Sequence, residues 1–286
     1  MIYLKEFILG GEADIIRNMR NIYTSHYPLG IFSQMGLSYL EFEPITIFYG
    51  SNGVGKTTLL NMIAMKLQAS RRNINKQSDL FEKFVDGCSS TMINQDELQE
   101  IKSLSSDDIF DYLLDVRAIN SEVNRRKETI GNEYLRVREN REGLQFDSRV
   151  EGSYEELVKR VDSRRMTQSK YIRSRLANNN MVQHSNGESA LEFWQNEIRE
   201  YSLYLLDEPE NSLSPESQIR LKQFIEESAR FYGCQFIIST HSPFLLALED
   251  ARIYDLDKGG EISRWQDLEN VRTYYYFFKE KSGKFE

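Results

Sequence analysis

The stretch GSNGVGKT, from Gly50 to Thr57, constrains this chain more than any other. It fits the pattern G-x-x-x-x-G-K-[ST] at every fixed position. SYLEFEPITIFY (38–49) reads as a strand that stops at Gly50. TTLLNMIAMKLQA then sets Leu59, Ile63 and Leu67 on one helical face. A strand, a glycine-rich turn and a helix in immediate succession let successive backbone N–H groups turn inward at a helix N-terminus, where an anion is favoured. The motif therefore predicts a nucleoside triphosphate cradle built from Ser51, Asn52, Gly53, Val54, Gly55, Lys56, Thr57 and Thr58. Lys56 is placed to bridge the β- and γ-phosphates, and the Thr57 hydroxyl to ligate Mg²⁺. The expected ligands are ATP or GTP, with Mg²⁺.

A second apolar run, SLYLLDEPEN (202–211), ends in acids. It delivers Asp207 to the C-terminal end of a strand, the edge at which open α/β sheets bind ligands, so Asp207 is expected to hold Mg²⁺ directly or through water. Glu208 follows at once, points elsewhere, and is the candidate general base for an attacking water. CQFIISTHSP (234–243) places His241 just past a further strand. Its expected role is contact with a γ-phosphate or water, against the alternative of a purely structural histidine. Lys56, Glu208 and His241 are thus the catalytic candidates, and Thr57 and Asp207 the metal ligands.

The rest of the chain supplies a scaffold for these motifs. Its 286 residues are 40% hydrophobic and 28% charged with five prolines, which predicts a globular, helix-rich chain with one sizeable core. IYLKEFIL (2–9) reads as an opening strand, and residues 68–107 are polar without a clear pattern. Residues from Asp108 to about Asn178 read as helices, opened by Phe110, Leu113, Leu114 and Val116. ESQIRLKQFIEESARFYG (216–233) is a helix with Ile219, Leu221, Phe224 and Ile225 as its stripe, and ARIYDLDKGG (251–260) adds a strand. Strands alternating with helices imply a mainly parallel sheet. Cys88 and Cys234 lie far apart in no metal-like spacing and are expected as free thiols. No apolar run suits a signal peptide or a membrane span, so a cytoplasmic location without direct membrane contact is expected.

The net charge of −8 argues against a surface that is, as a whole, a nucleic-acid footprint. Residues 117–175 differ, with 15 Lys plus Arg against 10 Asp plus Glu. Two readings stand: a solvated helical face of mixed charge, or a positive surface toward the phosphates of a nucleotide or nucleic acid, carried by residues such as Arg125, Arg126 and Arg164.

SNGES (185–189), in a polar stretch, is either a loop or part of a site that a second copy completes. Taken with the other motifs it resembles the signature of the ATP-binding cassette (ABC) superfamily, in particular its SMC-like, non-transporter branch. GSNGVGKTT resembles the Walker A loop, LYLLDEPE the Walker B strand, ENSLSP the D-loop and STHSP the histidine switch, in the family's order. IYLKEFIL, YPLGIF, SSDDIFDYLLDVRAIN and WQDLENVRTYYYFF look like the small bacterial AAA-family ATPases of phage-defence and DNA-processing systems. The resemblance implies an α/β P-loop NTPase of ABC/SMC head type, with a mainly parallel sheet, an N-terminal antiparallel β part and a helical lobe. It implies one ATPase domain over 1–286 with that lobe inserted at about 108–200.

It also implies a head-to-tail homodimer in which Ser185 and the backbone near Gly187 of one subunit contact the γ-phosphate held by the other, with Glu188 in the same trans half of the site. Asn186 stands in place of the usual second glycine, and His184 where a leucine is common. The glutamine of the family's Q-loop is either Gln95 or replaced by Asp107 or Asp108; Tyr27 and Phe32 are candidates to stack on adenine. The implied function is an ATPase that clamps around ATP and gates an effector, a nuclease or other toxin, or a nucleic-acid-processing partner, in bacterial anti-phage defence. The alternatives are the nucleotide-binding subunit of a membrane transporter and a nucleotide-dependent scaffold with little turnover.

Overall fold

The computed structural model describes residues 1–11, 27–28, 30–72, 78–139, 153–176 and 186–284. The strands among them are β1 (Leu4–Ile8), β2 (Tyr39–Glu41), β3 (Ile45–Tyr49), β4 (Ser70–Arg71), β5 (Ser89–Met92), β6 (Glu100–Ser105), β7 (Ser202–Asp207), β8 (Gln235–Ser239), β9 (Arg252–Asp255) and β10 (Glu261–Ser263). The chain divides into two compact units, Met1–Asp111 with Asn186–Glu286, and Tyr112–Ser185.

The first unit holds both sheets. One is antiparallel, in the order β2-β1-β5; the other runs β10-β9-β3-β8-β7-β6-β4 and is parallel except for its β10 edge. Residues 38–49 do not form one strand, as their pattern suggests. Pro44, which has no N–H to give a ladder, lies between the two, with β2 ending at Glu41 in the small sheet and β3 starting at Ile45 in the large one. β3 and β8 are buried along their whole length, and β7 up to Leu206. That is why these runs are continuously apolar rather than alternating.

The helices that cover the sheet start and stop where local chemistry dictates. The Lys56–Lys66 helix packs on β7 and β8 and buries Leu59 and Ile63. The Pro215–Phe231 helix starts on the Ser214 side chain, which accepts from Ser217 N–H, with proline in its first turn. Its buried face is Leu221, Ile225, Ser228 and Ala229, while Ile219 is 41% exposed. Ile219 lies two residues, or some 200° of helix, from Leu221, so the expected stripe is corrected there.

Gln235 fastens the small sheet to the large one. Its fully buried Oε1 accepts from Tyr3 N–H and Leu4 N–H, both at 2.8 Å; its Nε2 donates to Leu4 O at 2.8 Å and Glu43 O at 3.1 Å. Beside it, Arg252 reaches Glu41 at 2.6 Å and Glu43 at 2.8 Å.

The second unit comprises the Ser106–Glu139 helix beyond Asp111, the Ser153–Arg165 helix and the Gln168–Leu176 helix. Tyr134 and Tyr171 meet edge to face at 5.2 Å, and the Arg175 guanidinium lies 3.7 Å over the Tyr171 ring. Part of the basic surplus is neutralised inside this unit. Arg125 and Arg126 both pair with Glu122, at 2.8 and 3.1 Å, and Lys159 pairs with Glu133 at 2.6 Å. Arg164 is exposed. Among the described residues no helix is long and apolar enough to cross a membrane.

Each buried polar group that loses its partner costs about 1–3 kcal/mol. Gln235→Leu strands four of them, so it is expected to lower the unfolding free energy by at least about 3 kcal/mol, read as a lower urea midpoint with little change in slope.

Candidate functional site: the C-terminal edge of the parallel sheet

β8 lies between the strand that enters the glycine loop and the strand that ends in acids. Phe48 pairs with Ser239, and Ser239 in turn with Asp207, so all three strand ends finish at one level. From Gly50 the chain turns through Gly53 (φ 83°) to Gly55 (φ 112°), which opens the Lys56–Lys66 helix without any side-chain cap. A Cβ on Gly55 would meet Ile31 at 2.9 Å, so conformation and space both require glycine there. The uncapped N–H groups of this helix start are thus left for a ligand.

Lys56 is buried, and its Nζ donates to Gly50 O at 2.9 Å and Ser51 O at 3.1 Å. Burial lowers its pKa, opposed by Glu208, Asp207, Asp257 and Glu210. Ser51 is clamped by Asp257, which accepts from its N–H and its hydroxyl, each at 2.7 Å. The Thr57 hydroxyl donates to Asp207 Oδ1 at 3.1 Å, and Ser239 Oγ donates to the same oxygen. Burial raises the Asp207 pKa, opposed by the bonds from Ser239 and Thr57.

Thr57 and Asp207 therefore present a hydroxyl and a carboxylate oxygen to one point. This is the hard oxygen set that suits a Mg²⁺ otherwise completed by water and phosphate. Among the described residues no group of three His, Cys, Asp or Glu side chains forms a dedicated metal cage.

Glu208 sits in the left-handed region (φ 48°), which costs a non-glycine residue about 1–2 kcal/mol. Its N–H donates to Ser239 O at 3.0 Å, and its Oε2 accepts from Asn211 at 3.0 Å. His241 Nε2 lies 3.9 Å from Glu208 Oε1 and is buried with no hydrogen-bond partner. Burial, and then Lys56, lower the His241 pKa, which favours the neutral ring. A cavity of about 550 Å³ opens beside this pair, lined by Glu208, Glu210, Asn211, His241, Tyr274 and Phe278 among others.

The fold thus gathers Ser51 to Thr58, Asp207, Glu208 and His241 at one edge. Ser185 lies outside the described residues, and Gly187 and Glu188 fall in the first turn of the Asn186–Glu197 helix. Of the Q-loop alternatives, Asp107 and Asp108 directly follow β6, whose Ser105 pairs with Asp207. Asp108 is buried and accepts from Ser105 N–H and Oγ, so it caps its own helix. Gln95 lies in the turn after β5 of the small sheet. Phe32 is core, 1% exposed. Tyr27 is 44% exposed, hydrogen-bonds Thr58 Oγ1 at 2.7 Å and stacks on Phe81. Ser239, which opens STHSP, and Asp257 belong to the site, but neither has an individual role legible in the sequence, since serines and aspartates near strand ends are common.

Residues 109–247, just under half of the chain, match the family model described as "AAA domain, putative AbiEii toxin, Type IV TA system". No curated protein matches the chain. Among solved structures it is similar to an SMC head domain from Pyrococcus furiosus with an extended coiled coil, bound to the C-terminal domain of ScpA. The identity is 13% and the TM-score 0.38, over 99% of this chain and 100% of that one. It is also similar to an SMC head domain from Thermotoga maritima, at 13% identity and TM-score 0.31, over 89% and 94% of the two chains. A third is an inward-facing "putative metal-chelate type ABC transporter", at 13% identity and TM-score 0.39, over 96% and 90%. The glycine loop, the acidic strand end and the strand order together define an α/β P-loop fold, of which residues 109–247 match the model of an AAA domain.

A carboxylate whose folded pKa lies above its unfolded value destabilises the fold at every pH where it is ionised. Asp207→Asn is therefore expected to raise the melting temperature of the nucleotide-free protein at pH 7. The rise should be about 2–4 °C if the burden is about 1 kcal/mol, and should shrink as the pH falls toward the pKa of Asp207.

Proposed function

We propose that this chain hydrolyses ATP and works as a nucleotide-driven homodimeric clamp that gates a partner protein. The observation that carries the reading is the meeting of Thr57 and Asp207 Oδ1 at 3.1 Å beside buried Lys56, which joins the glycine loop to the acidic strand end. In this reading Lys56 leaves the carbonyls of Gly50 and Ser51 for the β- and γ-phosphates, and the N–H groups of residues 51–58 hold their oxygens. Mg²⁺, held by Thr57 and Asp207, supplies charge neutralisation on the phosphates when bound. Glu208 takes a proton from the attacking water, as the bond from the γ-phosphorus to the β–γ bridging oxygen breaks. Neutral His241 lends its unpartnered Nε2 to the γ-phosphate or the water.

Ser185, Gly187 and Glu188 are proposed to complete the site in trans, so that ATP binding closes the dimer and hydrolysis opens it. The whole chain then acts as a single ATPase domain carrying an inserted helical lobe at about 108–200. The matched family's description names a putative toxin of a type IV toxin–antitoxin system, which supports a place in bacterial defence; the effector partner and the cytoplasmic location are part of the same proposal. Contact with nucleic acid remains part of the proposal through the basic lobe, although the pairing of Arg125 and Arg126 with Glu122 leaves less free positive charge there than the sequence suggests.

Two substitutions test this. Lys56→Ala is expected to weaken ATP binding at least tenfold, measured by calorimetry. Glu208→Gln is expected to bind ATP normally, release phosphate about 10²–10⁴-fold more slowly, and elute as a dimer with ATP and Mg²⁺. Wild-type phosphate release by Glu208→Gln, or a strictly monomeric elution, would overturn the mechanism.

A further inference from the structure

The loop that carries His241 is held from two sides by residues to which the sequence motifs assign no individual role. From one side, Glu210 Oε1 accepts the N–H of His241 at 2.7 Å and the N–H of Ser242 at 3.1 Å. From the other, Asn270 Nδ2 donates to His241 O at 2.6 Å. Asn270 is itself anchored, since its N–H donates to the Tyr49 hydroxyl at 3.1 Å on the strand that enters the glycine loop. The backbone of His241 is thus bonded at both its N–H and its C=O by side chains from opposite directions in sequence, 31 residues before it and 29 after. Glu210 does this at a cost: its carboxylate is largely buried and its second oxygen has no hydrogen-bond partner. The role visible for Glu210 is that of an acceptor for two backbone donors, which a neutral side chain can also fill. The two N–H groups share a single oxygen, so a side-chain amide in the same place preserves both bonds.

We propose that Glu210 and Asn270 are positioning residues that together fix the His241 ring against Glu208 for hydrolysis. Neither touches the reacting atoms; both act through His241, 3.9 Å from Glu208 Oε1. This rests on the reading of the site as an ATPase. It adds that the Glu269–Glu280 helix, which bears Asn270 and exposes Tyr274, Tyr275, Tyr276, Phe277 and Phe278, is bonded directly to the histidine loop.

The test is a double-mutant cycle in the full chain, reading phosphate release and ATP affinity separately. Glu210→Ala is expected to lower kcat at least 30-fold and Asn270→Ala about tenfold, each with ATP affinity within threefold of wild type. Glu210→Gln is expected to stay within threefold of wild type in both. In a His241→Ala background, either alanine substitution should cost less than a further threefold, because the residue through which it acts is gone.

Losses as large in that background as in the wild type would overturn the inference, as would Glu210→Ala and Asn270→Ala at wild-type rates beside a slow His241→Ala. Should Glu210→Ala not fold, Asn270→Ala in both backgrounds decides by the same limits. A His241→Ala variant that turns over like wild type is a different failure: it removes His241 from the reaction and overturns the catalytic reading beneath this one.

Discussion

β8 stands between the strand that enters the phosphate loop and the strand that ends in acid, and everything at the C-terminal edge depends on that placement. Neighbouring strands lie about 4.8 Å apart, so one intervening strand separates the ends of β3 and β7 by roughly 10 Å. The glycine loop and the first turn of its helix fill that gap and bring Thr57 back onto Asp207. Ser239 closes it from below, giving its hydroxyl to Asp207 and its carbonyl to the N–H of Glu208. Parallel pairing fixes the register of all three strands at once, so no single loop has to find the geometry by itself.

The edge built in this way is under load before any ligand arrives. Two carboxylates, Asp207 and Glu210, are held where burial disfavours their charge, Glu208 is held in a left-handed conformation, and the His241 ring has a nitrogen without a partner. Each of these costs free energy that the apolar strands beneath must offset. What relieves them is a cation for the carboxylates and an anion for Lys56 and the loop N–H groups. A Mg²⁺–nucleotide, the ligand proposed above, would supply both.

The sequence was most legible where chemistry is local. The glycine loop, the acid pair and the histidine each follow a buried strand, and a run of apolar residues ending in a polar one is visible without any fold. β6 was not legible: in EIKSLS only Leu104 is fully buried, and the remainder sits half-exposed beside β4, so the strand carries little apolar signal. The break at Pro44 was missed because apolar residues continue across it while the chain changes sheets. The roles of Glu210, Asn270, Ser239 and Asp257 escaped for another reason. Their partners lie about thirty residues away or more, 206 in the case of Asp257 and Ser51, and side chains of this kind are common on any surface. What singles them out is the register of the sheet, which a sequence pattern does not encode.

The bonds from Gln235 to Tyr3 and Leu4 span 232 and 231 residues. The small sheet is thus clasped by a residue that stands far beyond it in the chain, so a cut or deletion that removes β8 leaves the Tyr3 and Leu4 donors without their acceptor.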